Sequence, residues 1–448
     1  MGIYPKLFRS VIFPILEFSQ GTRIQKYLKW LEKTQWWKPE ELEELQNKRL
    51  RALIKHAYEN VPYYHKLFRQ LNLKPDDIKT KEDLTKLPIL TKDIIRREIT
   101  NLQAKNVNRS DFIACQSSGS TGEPLKYYID KHTYSIGWAQ TFRCWSWAGY
   151  KIGDPYVKVM IHPRKTLFKK IQDVLMNCTF ICAFEISEDT VVDQIRRIRG
   201  ANAKIIRGYP SWLYILANYM KKYGISDIQP SAVMTTGEIL FPQYRKLIES
   251  QFNCKVFDGY GGENMPISFE CEEHAAYHIC EESVIVEFIK NGEAVAPGEV
   301  GEVIVTNLTN YAMPFIRYKI GDLSRPLDDF CSCGRGLSLM DSIEGRDTDI
   351  VITPDGRFLV GMFFFALFEE MEGVNQFQVI QESINEIKVK IVKNSRFKDS
   401  DVDFIIKEIQ KSAGNNINID IEFVDSIPLP RSGKQRFVIS KISADFWG

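Results

Sequence analysis

The sequence of 448 residues has no long apolar run and no large net charge, the features that would indicate a membrane-spanning or a nucleic-acid-binding protein. Its apolar run near the start, Val11–Leu16, contains Pro14 and is far shorter than the ~20 residues of a bilayer-spanning helix. A weak interfacial helix stays open, because Lys6 and Arg9 precede the run. The formal net charge is only +2, so no strong attraction to nucleic acid follows. We therefore expect a globular chain of about two to three domains with no integral membrane segment.

The cysteines and histidines do not form the patterns of a disulfide-rich protein or of a Ser-His-Asp hydrolase. The nine cysteines are an odd number, and no cleavable signal is recognisable, so we expect a reducing, cytoplasmic location rather than a disulfide framework. The six histidines show no Ser-His-Asp order, and no paired-carboxylate spacing recommends a hydrolase.

The hydrophobic pattern changes along the chain. Residues 23–71 have helical periodicity, and short strands alternate with helices between 134 and 258, which is typical of a parallel sheet. In this stretch we expect a helix over Ser211–Lys222 with Ser211 as its N-cap. The predicted fold is α/β: a large N-terminal domain (1–344, with a helical lead-in to about 110) and a small mobile α+β domain (345–448).

The segment Gln116–Lys126 reads QSSGSTGEPLK and combines small, hydroxyl-bearing and glycine residues. Glycine lets backbone N–H groups approach an anion, and hydroxyls add short donors, so the loop can wrap a polyphosphate. Only two residues separate Gly119 from Gly122, which excludes the nucleotide loop that opens a helix. A plain surface loop of the same composition stays open.

Further motifs follow in order: GYPSWLYILA, TTGE, DGYGGE, RYKIGD, EGRDTDI and PLPRSGKQRF. Together with SSGSTGEP, this order and spacing resemble the adenylate-forming (acyl-activating, AMP-forming) ligases. Within them the chain is most similar to the phenylacetate–CoA ligase-like branch, which includes the CapK-type capsular polysaccharide biosynthesis proteins. AYENVPYYHKLF near the start also resembles that branch, so the similarity covers roughly residues 45–440.

The resemblance implies ATP and Mg²⁺ as cofactors and assigns the nucleotide contacts. Tyr260, in a turn with Gly261, would stack on adenine, and Gly237 and Glu238 would lie beside the base. The β- and γ-phosphates would contact Ser117, Ser118, Gly119, Ser120, Thr121 and Gly122. Tyr260 as an ordinary core aromatic stays the alternative.

Four more residues receive roles from the resemblance. Asp322 would accept hydrogen bonds from the ribose hydroxyls, and Arg346 would reach the ribose or a phosphate. Glu263 would bring a carboxylate to Mg²⁺, which prefers oxygen ligands. Lys434, on a glycine-containing loop, would neutralise charge at the α-phosphate. The alternatives are a turn residue for Asp322 and a solvated surface lysine for Lys434.

The chain departs from the family pattern at two places. Glu263 stands three residues after Tyr260, where the family usually has its acid four residues after the tyrosine. Thr353–Gly356 reads TPDG, where acyl-CoA ligases tend to carry a Lys/Arg-Gly stretch, so coenzyme A as the acceptor is open. Tyr209 and Trp212 are candidates for lining the side of the site that holds the acyl group. The alternative is that they are ordinary core side chains.

Two cysteine segments indicate a metal site. Cys271 and His278 are followed, some fifty residues later, by Cys331 and Cys333 in a Cys-x-Cys-Gly knuckle. Such a knuckle can direct two thiolates at one ion, and a distant Cys/His pair can complete a tetrahedron. We expect structural Zn²⁺ at these four residues. His274 and Cys280 are competing ligands. The alternative to a metal site is that the four side chains are unrelated, with Cys271 buried as a small apolar residue.

The leading hypothesis is ATP-dependent, AMP-forming activation of a carboxylic acid. The acyl group would pass to a thiol, amine or sugar hydroxyl, and the resemblance links this to surface-polysaccharide assembly. The expected partners are therefore a small-molecule acid and an acyl acceptor. The alternatives are a catalytically silent nucleotide-binding scaffold and a ligase for a cofactor-like acid.

Overall fold

Helices form most of the first hundred residues, and strands become frequent only after residue 112. A computed structural model describes residues 3–116, 125–160, 164, 166–182, 188–262, 265–343, 351–354, 358–359, 361–369, 371–414, 416–427 and 437–442. The α-helices, in chain order, are α1 (Ile3–Leu7), α2 (Phe13–Gln20), α3 (Ile24–Thr34), α4 (Pro39–Asn60), α5 (Pro62–Gln70), α6 (Lys92–Arg97), α7 (Lys131–Trp147), α8 (Leu167–Leu175), α9 (Glu188–Ala201), α10 (Pro210–Lys222), α11 (Pro242–Phe252), α12 (Gly361–Glu369) and α13 (Asp399–Ala413).

The strands follow the same chain order. They are β1 (Ile113–Gln116), β2 (Lys126–Ile129), β3 (Tyr156–Met160), β4 (Cys178–Cys182), β5 (Ile205–Gly208), β6 (Ala232–Thr236), β7 (Lys255–Gly262), β8 (Met265–Glu270), β9 (Tyr277–Ile279), β10 (Val284–Lys290), β11 (Glu293–Ala294), β12 (Gly301–Asn307), β13 (Tyr318–Ser324), β14 (Pro326–Leu327), β15 (Leu339–Met340), β16 (Val351–Ile352), β17 (Phe358–Leu359), β18 (Val374–Ser383), β19 (Glu386–Lys393), β20 (Asn418–Phe423) and β21 (Val438–Ser440).

The chain divides into two compact units. Unit 1 comprises Met1–Ser117, Leu125–Gly153 and Phe257–Glu344, and unit 2 comprises Ser118–Pro124, Asp154–Val256 and Gly345–Gly448. Unit 2 therefore joins the alternating strands and helices to the C-terminal segment. The predicted division into an N-terminal domain (1–344) and a C-terminal domain (345–448) stays a prediction.

Unit 1 combines helices with antiparallel strands. One sheet has the order β11-β10-β12-β13, and in another β7, β8, β9, β15 and β14 are neighbours in that order. A core cluster joins the apolar faces of α4 and α5, including Leu50, Leu53 and Phe68, to Phe315 and Tyr318. Burial of these side chains supplies the main driving force for this packing.

Unit 2 contains the parallel sheet that the sequence predicts. Its strands β4, β3, β5 and β6 are parallel neighbours in that order. The strands and α10 share a core that includes Val157, Ile206 and Trp212. The α/β fold class is thereby confirmed, and the turns after β5 and β6 lie at the carboxyl end of the sheet, where ligands of α/β proteins gather.

The C-terminal segment of unit 2 forms a mixed four-stranded sheet in the order β20-β19-β18-β21. β18 and β19 are antiparallel, whereas β19–β20 and β18–β21 are parallel. Phe364 in α12 and Ile405 in α13 lie in the same hydrophobic cluster as Phe377 of β18. This agrees with the predicted α+β character of the segment.

The predicted cap of α10 is wrong. The helix begins at Pro210, and its N-cap is Tyr209, whose side chain makes no capping hydrogen bond. Proline is favoured at the first helical position because its missing N–H would have no intrahelical acceptor there. The next residue, Ser211, lies inside the helix and uses its backbone N–H for another contact, described below.

Candidate functional site

Tyr260 and Asp322 lie together in unit 1, although 62 residues separate them in the chain. Tyr260 is in β7 and Asp322 in β13. The Tyr260 hydroxyl donates a hydrogen bond of 2.7 Å to Asp322 Oδ2. Asp322 is only 4% exposed, and it lies inside a strand, so its interpretation as a turn residue is wrong. A bond to a carboxylate is among the stronger hydrogen bonds in proteins and fixes both side chains.

Gly261, next to Tyr260, requires glycine for two reasons. Its φ is +101°, and a Cβ there would come within 2.6 Å of Met265 O. The strand pairing between β7 and β8 is irregular between Tyr260 and Gly261. The irregularity bends the strand locally and thereby directs the tyrosine side chain.

Arg317 is a residue that the sequence analysis did not single out, although it belongs to the RYKIGD motif. Its backbone has a φ of +54°, and its guanidinium donates to Leu87 O at 2.7 Å and pairs with Glu287 at 2.9 Å. Both side chains are largely buried. The contacts fasten the start of β13, the strand that carries Asp322. The arginine at the head of the motif is the signal that could have predicted this.

Gly237 and Glu238 follow β6 in unit 2. Gly237 has a φ of +84°, and a Cβ there would come within 3.2 Å of the Tyr209 ring. Glu238 Oε2 accepts a hydrogen bond of 3.0 Å from the backbone N–H of Ser211, at the start of α10. A carboxylate is favoured at this end of a helix by the unpaired N–H groups and the helix dipole.

The Glu238 carboxyl is enclosed, although the residue as a whole is partly exposed. Its other oxygen, Oε1, is buried and has no hydrogen-bond partner among the described residues. Burial raises the pKa of Glu238 to about 7, against the lowering effect of the contacts with Ser211. A carboxyl that titrates near neutrality in this way is a recognised property of functional sites.

The two candidates for the acyl side differ in burial. Tyr209 is 8% exposed, and its hydroxyl contacts Met160 Sδ at 3.8 Å. Trp212 is completely buried in the core cluster of unit 2. Its role at the acyl side stays a prediction, as does that of Tyr209.

Several predicted site residues lie outside the described residues. They are Ser117, Ser118, Gly119, Ser120, Thr121, Gly122, Glu263, Arg346 and Lys434. Their assignments stay predictions.

Unit 1 brings the four predicted metal ligands together. One ligand atom from each of Cys271, His278, Cys331 and Cys333 lies within 4.8 Å of all the others. Cys271 Sγ is 3.6 Å from Cys331 Sγ, and Cys333 Sγ is 3.4 Å from His278 Nε2. A tetrahedron of Zn–S bonds has edges of about 3.8 Å, so the spacing fits zinc.

The backbone around the cluster is arranged for thiolate ligands. The N–H of Glu273 points to Cys271 Sγ at 3.4 Å, and the N–H of Arg335 points to Cys333 Sγ at 3.5 Å. Such donors stabilise negative charge on sulfur. The knuckle closes through Gly334, whose φ is +81°.

The competing ligands have other neighbours. The His274 ring packs on Phe257 at 4.6 Å, and its Nδ1 lies 3.6 Å from Glu270 Oε2. Cys280 Sγ is fully buried and accepts a contact of 3.7 Å from Arg143. Neither belongs to the four-residue group.

The protonation states of the cluster follow from burial. Burial, followed by the charge of Arg335, lowers the pKa of His278 to about 4, so the imidazole is neutral and can donate a lone pair to a metal. Burial raises the pKa of Cys271 and Cys331. A bound divalent cation would reverse this effect by favouring thiolates. Three sulfurs and one imidazole form a donor set that suits Zn²⁺.

Arg335 links the knuckle to the end of α3. Its guanidinium lies over the rings of Trp36 and Trp147, at 5.0 Å and 4.4 Å from their centroids. It also pairs with Glu272 at 2.9 Å. The backbone N–H of Gly336 donates to Gln35 O at 3.0 Å. A metal at the knuckle would therefore stabilise this N-terminal packing as well.

Comparisons with known proteins agree on one class. Residues 351–441 match the model of the CapK C-terminal domain family. Protein CapK of Staphylococcus aureus is 26% identical over 417 residues, which cover 90% of each chain. Phenylacetate-coenzyme A ligase of Aromatoleum evansii is 29% identical over 331 residues, which cover 70% of this chain and 72% of the relative.

Solved structures show the same fold. A 2-hydroxyisobutyryl-CoA ligase, in complex with 2-HIB-AMP and CoA in the thioesterification state, has a TM-score of 0.62 at 19% identity. The match covers 89% of this chain and 90% of that one. The fold is that of the adenylate-forming ligases. More particularly, the chain is similar over most of its length to CapK and to the phenylacetate–coenzyme A ligases, as the sequence motifs predict. Among the described residues, no helix is long and apolar enough to cross a membrane.

Proposed function

We propose that this protein is an AMP-forming ligase that activates a carboxylic acid with ATP. A carboxylate oxygen of the acid attacks the α-phosphorus of ATP and forms the acyl–phosphate bond of an acyl-adenylate. The bond from the α-phosphorus to the β-phosphate oxygen breaks, and the electron pair leaves with pyrophosphate. The hydrogen-bonded pair of Tyr260 and Asp322 carries the proposal, because it joins two motifs of the ligase family in one place.

Each residue of the pair has a distinct proposed role. The Tyr260 ring offers a flat face for adenine, while its hydroxyl holds the Asp322 carboxylate in position. A carboxylate accepts up to about four hydrogen bonds, so Asp322 can accept from ribose hydroxyls in addition to Tyr260. Gly261 keeps the turn in the conformation that directs the ring. This fixed geometry holds the nucleotide for in-line attack, which lowers the entropic part of the barrier.

Other residues complete the proposed nucleotide site. The family resemblance would place Gly237 and Glu238 beside the base. Asn264, one position after Glu263, stands where the family usually has its acid. Mg²⁺, when bound with ATP, supplies positive charge to the phosphate oxygens. The carboxylate of Glu263 would hold it. By the same resemblance, the phosphate and ribose contacts would come from Ser117, Ser118, Gly119, Ser120, Thr121, Gly122, Arg346 and Lys434.

The acyl group then passes to a thiol, an amine or a sugar hydroxyl. The relatives support two versions of this step. Phenylacetate-coenzyme A ligases are named for a thiol acceptor. The match to CapK covers 90% of the chain. The resemblance of the sequence motifs to CapK-type capsular polysaccharide biosynthesis proteins supports a role in surface-polysaccharide assembly. In either case a nucleophile attacks the acyl carbonyl carbon, and AMP departs with the electron pair of the acyl–phosphate bond.

Zn²⁺ at Cys271, His278, Cys331 and Cys333 is the structural part of the proposal. Four protein ligands leave no open coordination position, so the metal would hold the knuckle and take no part in the reaction. The cytoplasm belongs to the same proposal, because that compartment supplies ATP and keeps thiols reduced. The predicted boundary between the large N-terminal domain (1–344) and the small C-terminal domain (345–448) is also part of this proposal.

Product analysis tests the proposed reaction. The protein is incubated with ATP, Mg²⁺ and a panel of carboxylic acids, and nucleotides are separated by chromatography. Pyrophosphate and acyl-adenylate, formed only with a suitable acid, support the proposal, and ADP with phosphate contradicts it. Adding coenzyme A, an amine or a sugar in separate reactions then identifies the acceptor by the mass of the acyl product.

A further inference from the structure

The start of the chain forms a helix that packs on unit 1 with only one of its faces. Helix α1, a π-helical turn (Phe8–Ile12) and α2 run without a break from Ile3 to Gln20. Pro5, Phe8 and Phe13 are buried, and the Phe13 ring contacts that of Phe142 edge-on at 6.3 Å. These contacts fix which face of the helix points away from the protein.

The opposite face carries a stripe of large apolar side chains. We name this the outer stripe, and its exposed fractions are Ile3 86%, Leu7 47%, Val11 47%, Ile15 62% and Phe18 90%. From Ile3 to Ile15 these residues are four apart, and each such step drifts by about 40° around an α-helix, whereas the last step, to Phe18, is three residues. The wider π-helical turn takes up part of that drift and keeps the stripe on one face. A contiguous apolar patch of this kind on a protein surface is typical of an interaction site.

The surrounding charge has one dominant sign. Residues 3–34 contain six Lys and Arg and two Glu, which gives a net charge of 6 − 2 = +4, whereas the complete chain has +2. One of the two acids, Glu17, is buried and accepts a hydrogen bond from the backbone of Gln25. The Gln25 side chain also donates to Arg9 O at 2.9 Å, which places the start of the basic helix α3 beside the striped helix. Lys6, Lys26, Lys29 and Lys33 are exposed.

We propose that the outer stripe binds the surface of an anionic lipid bilayer. The five apolar side chains enter the boundary between headgroups and acyl chains, and the neighbouring lysines contact anionic headgroups. The inner face stays packed on unit 1, so the attachment is peripheral. The excess of positive charge favours an anionic membrane over a second copy of the chain, because the same basic region would face itself in a symmetric pair.

Vesicle flotation tests this proposal with the full chain. Phosphatidylglycerol–phosphatidylcholine vesicles are compared with phosphatidylcholine vesicles, at low and at raised salt. The test variant is the double substitution Leu7→Ser and Phe18→Ser. The matched control is Phe330→Ser, which removes an aromatic side chain that is 84% exposed elsewhere in unit 1. All of these positions are exposed, so thermal unfolding should be unchanged.

We expect the unmodified chain and the Phe330→Ser control to float with the anionic vesicles, and raised salt to weaken this binding. The double variant should lose about tenfold or more of its vesicle affinity, because two large apolar side chains no longer leave water. Lys6→Gln together with Lys26→Gln should reduce binding to anionic vesicles only. Equal flotation of the double variant and the control would overturn the proposal. The proposal would also be overturned if the unmodified chain did not float and light scattering showed that it forms an oligomer, while the double variant stays monomeric.

Discussion

The hydroxyl of Tyr260 lies 2.7 Å from Asp322 Oδ2 and joins strand β7 to strand β13 within unit 1. Tyr260 is partly exposed, whereas Asp322 is almost completely buried. The tyrosine therefore holds a carboxylate whose position is already restricted by the sheet. Both residues stand in motifs that resemble those of the adenylate-forming ligases, so their contact is the first target for mutation.

The first prediction concerns the Tyr260 hydroxyl. Tyr260→Phe keeps the ring but removes the donor to Asp322, so ATP affinity should fall by roughly fivefold, or about 1 kcal/mol. The matched control is Tyr277→Phe, which removes a hydroxyl donating an equally short bond of 2.7 Å to Asp258. Isothermal titration calorimetry with ATP measures both. An equal loss in the two variants would mean that the hydroxyl acts only through general stability.

The second prediction concerns the turn glycine Gly261. Gly261→Ala places a Cβ 2.6 Å from Met265 O and forces a positive φ on alanine. We expect a loss of about 1–3 kcal/mol in unfolding free energy. Gly262→Ala is the neighbouring control, because a Cβ there meets no atom of the described residues within 4 Å. Thermal unfolding of both variants checks this, and similar unfolding temperatures would contradict the predicted strain.

The third prediction concerns the pH dependence contributed by Glu238. Burial raises its pKa to about 7 from an ordinary value of 4.5. A raised folded-state pKa means that the stability contribution is complete below pH 4.5 and is lost as the pH rises through 7. Over this window the protein should lose up to about 3 kcal/mol relative to Glu238→Gln, which does not titrate.

Unfolding by denaturant at several pH values between these limits measures the difference for Glu238. The variant is a suitable reference because a glutamine oxygen can still accept the hydrogen bond from the Ser211 backbone. A constant difference between the two proteins would show that Glu238 has an ordinary pKa. A difference that grows in favour of the unmodified chain as the pH rises would reverse the predicted sign.

The fourth prediction concerns the Cys/His cluster. The purified protein should contain about one zinc per chain. Cys333→Ser should abolish it and lower the unfolding temperature, because metal binding contributes folding free energy. Cys254→Ser, a cysteine outside the cluster, is the control that should keep its zinc. Elemental analysis and thermal unfolding provide the readouts. Equal metal content in both variants, or none in the unmodified chain, would contradict a zinc site.

Local patterns predicted much of this structure. The parallel strands β3 to β6 follow from short apolar runs that alternate with helices. The Cys-x-Cys-Gly spacing predicts Cys331 and Cys333 as ligands. The separate pair of Cys271 and His278 is expected to complete the set, with His274 and Cys280 as competitors, and the structure groups the expected four. In both cases the informative residues are close in sequence or belong to a recognisable motif.

Contacts between distant segments could not be derived in this way. The bond from Tyr260 to Asp322 depends on how β7 and β13 are placed by the fold of unit 1, and no local period encodes that. The position of the Arg335 guanidinium over the rings of Trp36 and Trp147 likewise depends on the fold and is encoded by no local pattern. Ser211 shows a different difficulty, since serine at a helix start resembles a cap even where proline precedes it.

The central claim is acid-dependent adenylation, and ATP–pyrophosphate exchange measures it most directly. The assay supplies labelled pyrophosphate, ATP, Mg²⁺ and a broad panel of carboxylic acids, with Asp322→Ala and Lys434→Ala as test variants. The account predicts exchange with at least one acid and a loss of about a hundredfold or more in each variant, because each removes a proposed contact with the nucleotide. Exchange that is unchanged in both variants, or ATP binding with no exchange for any acid, would contradict it.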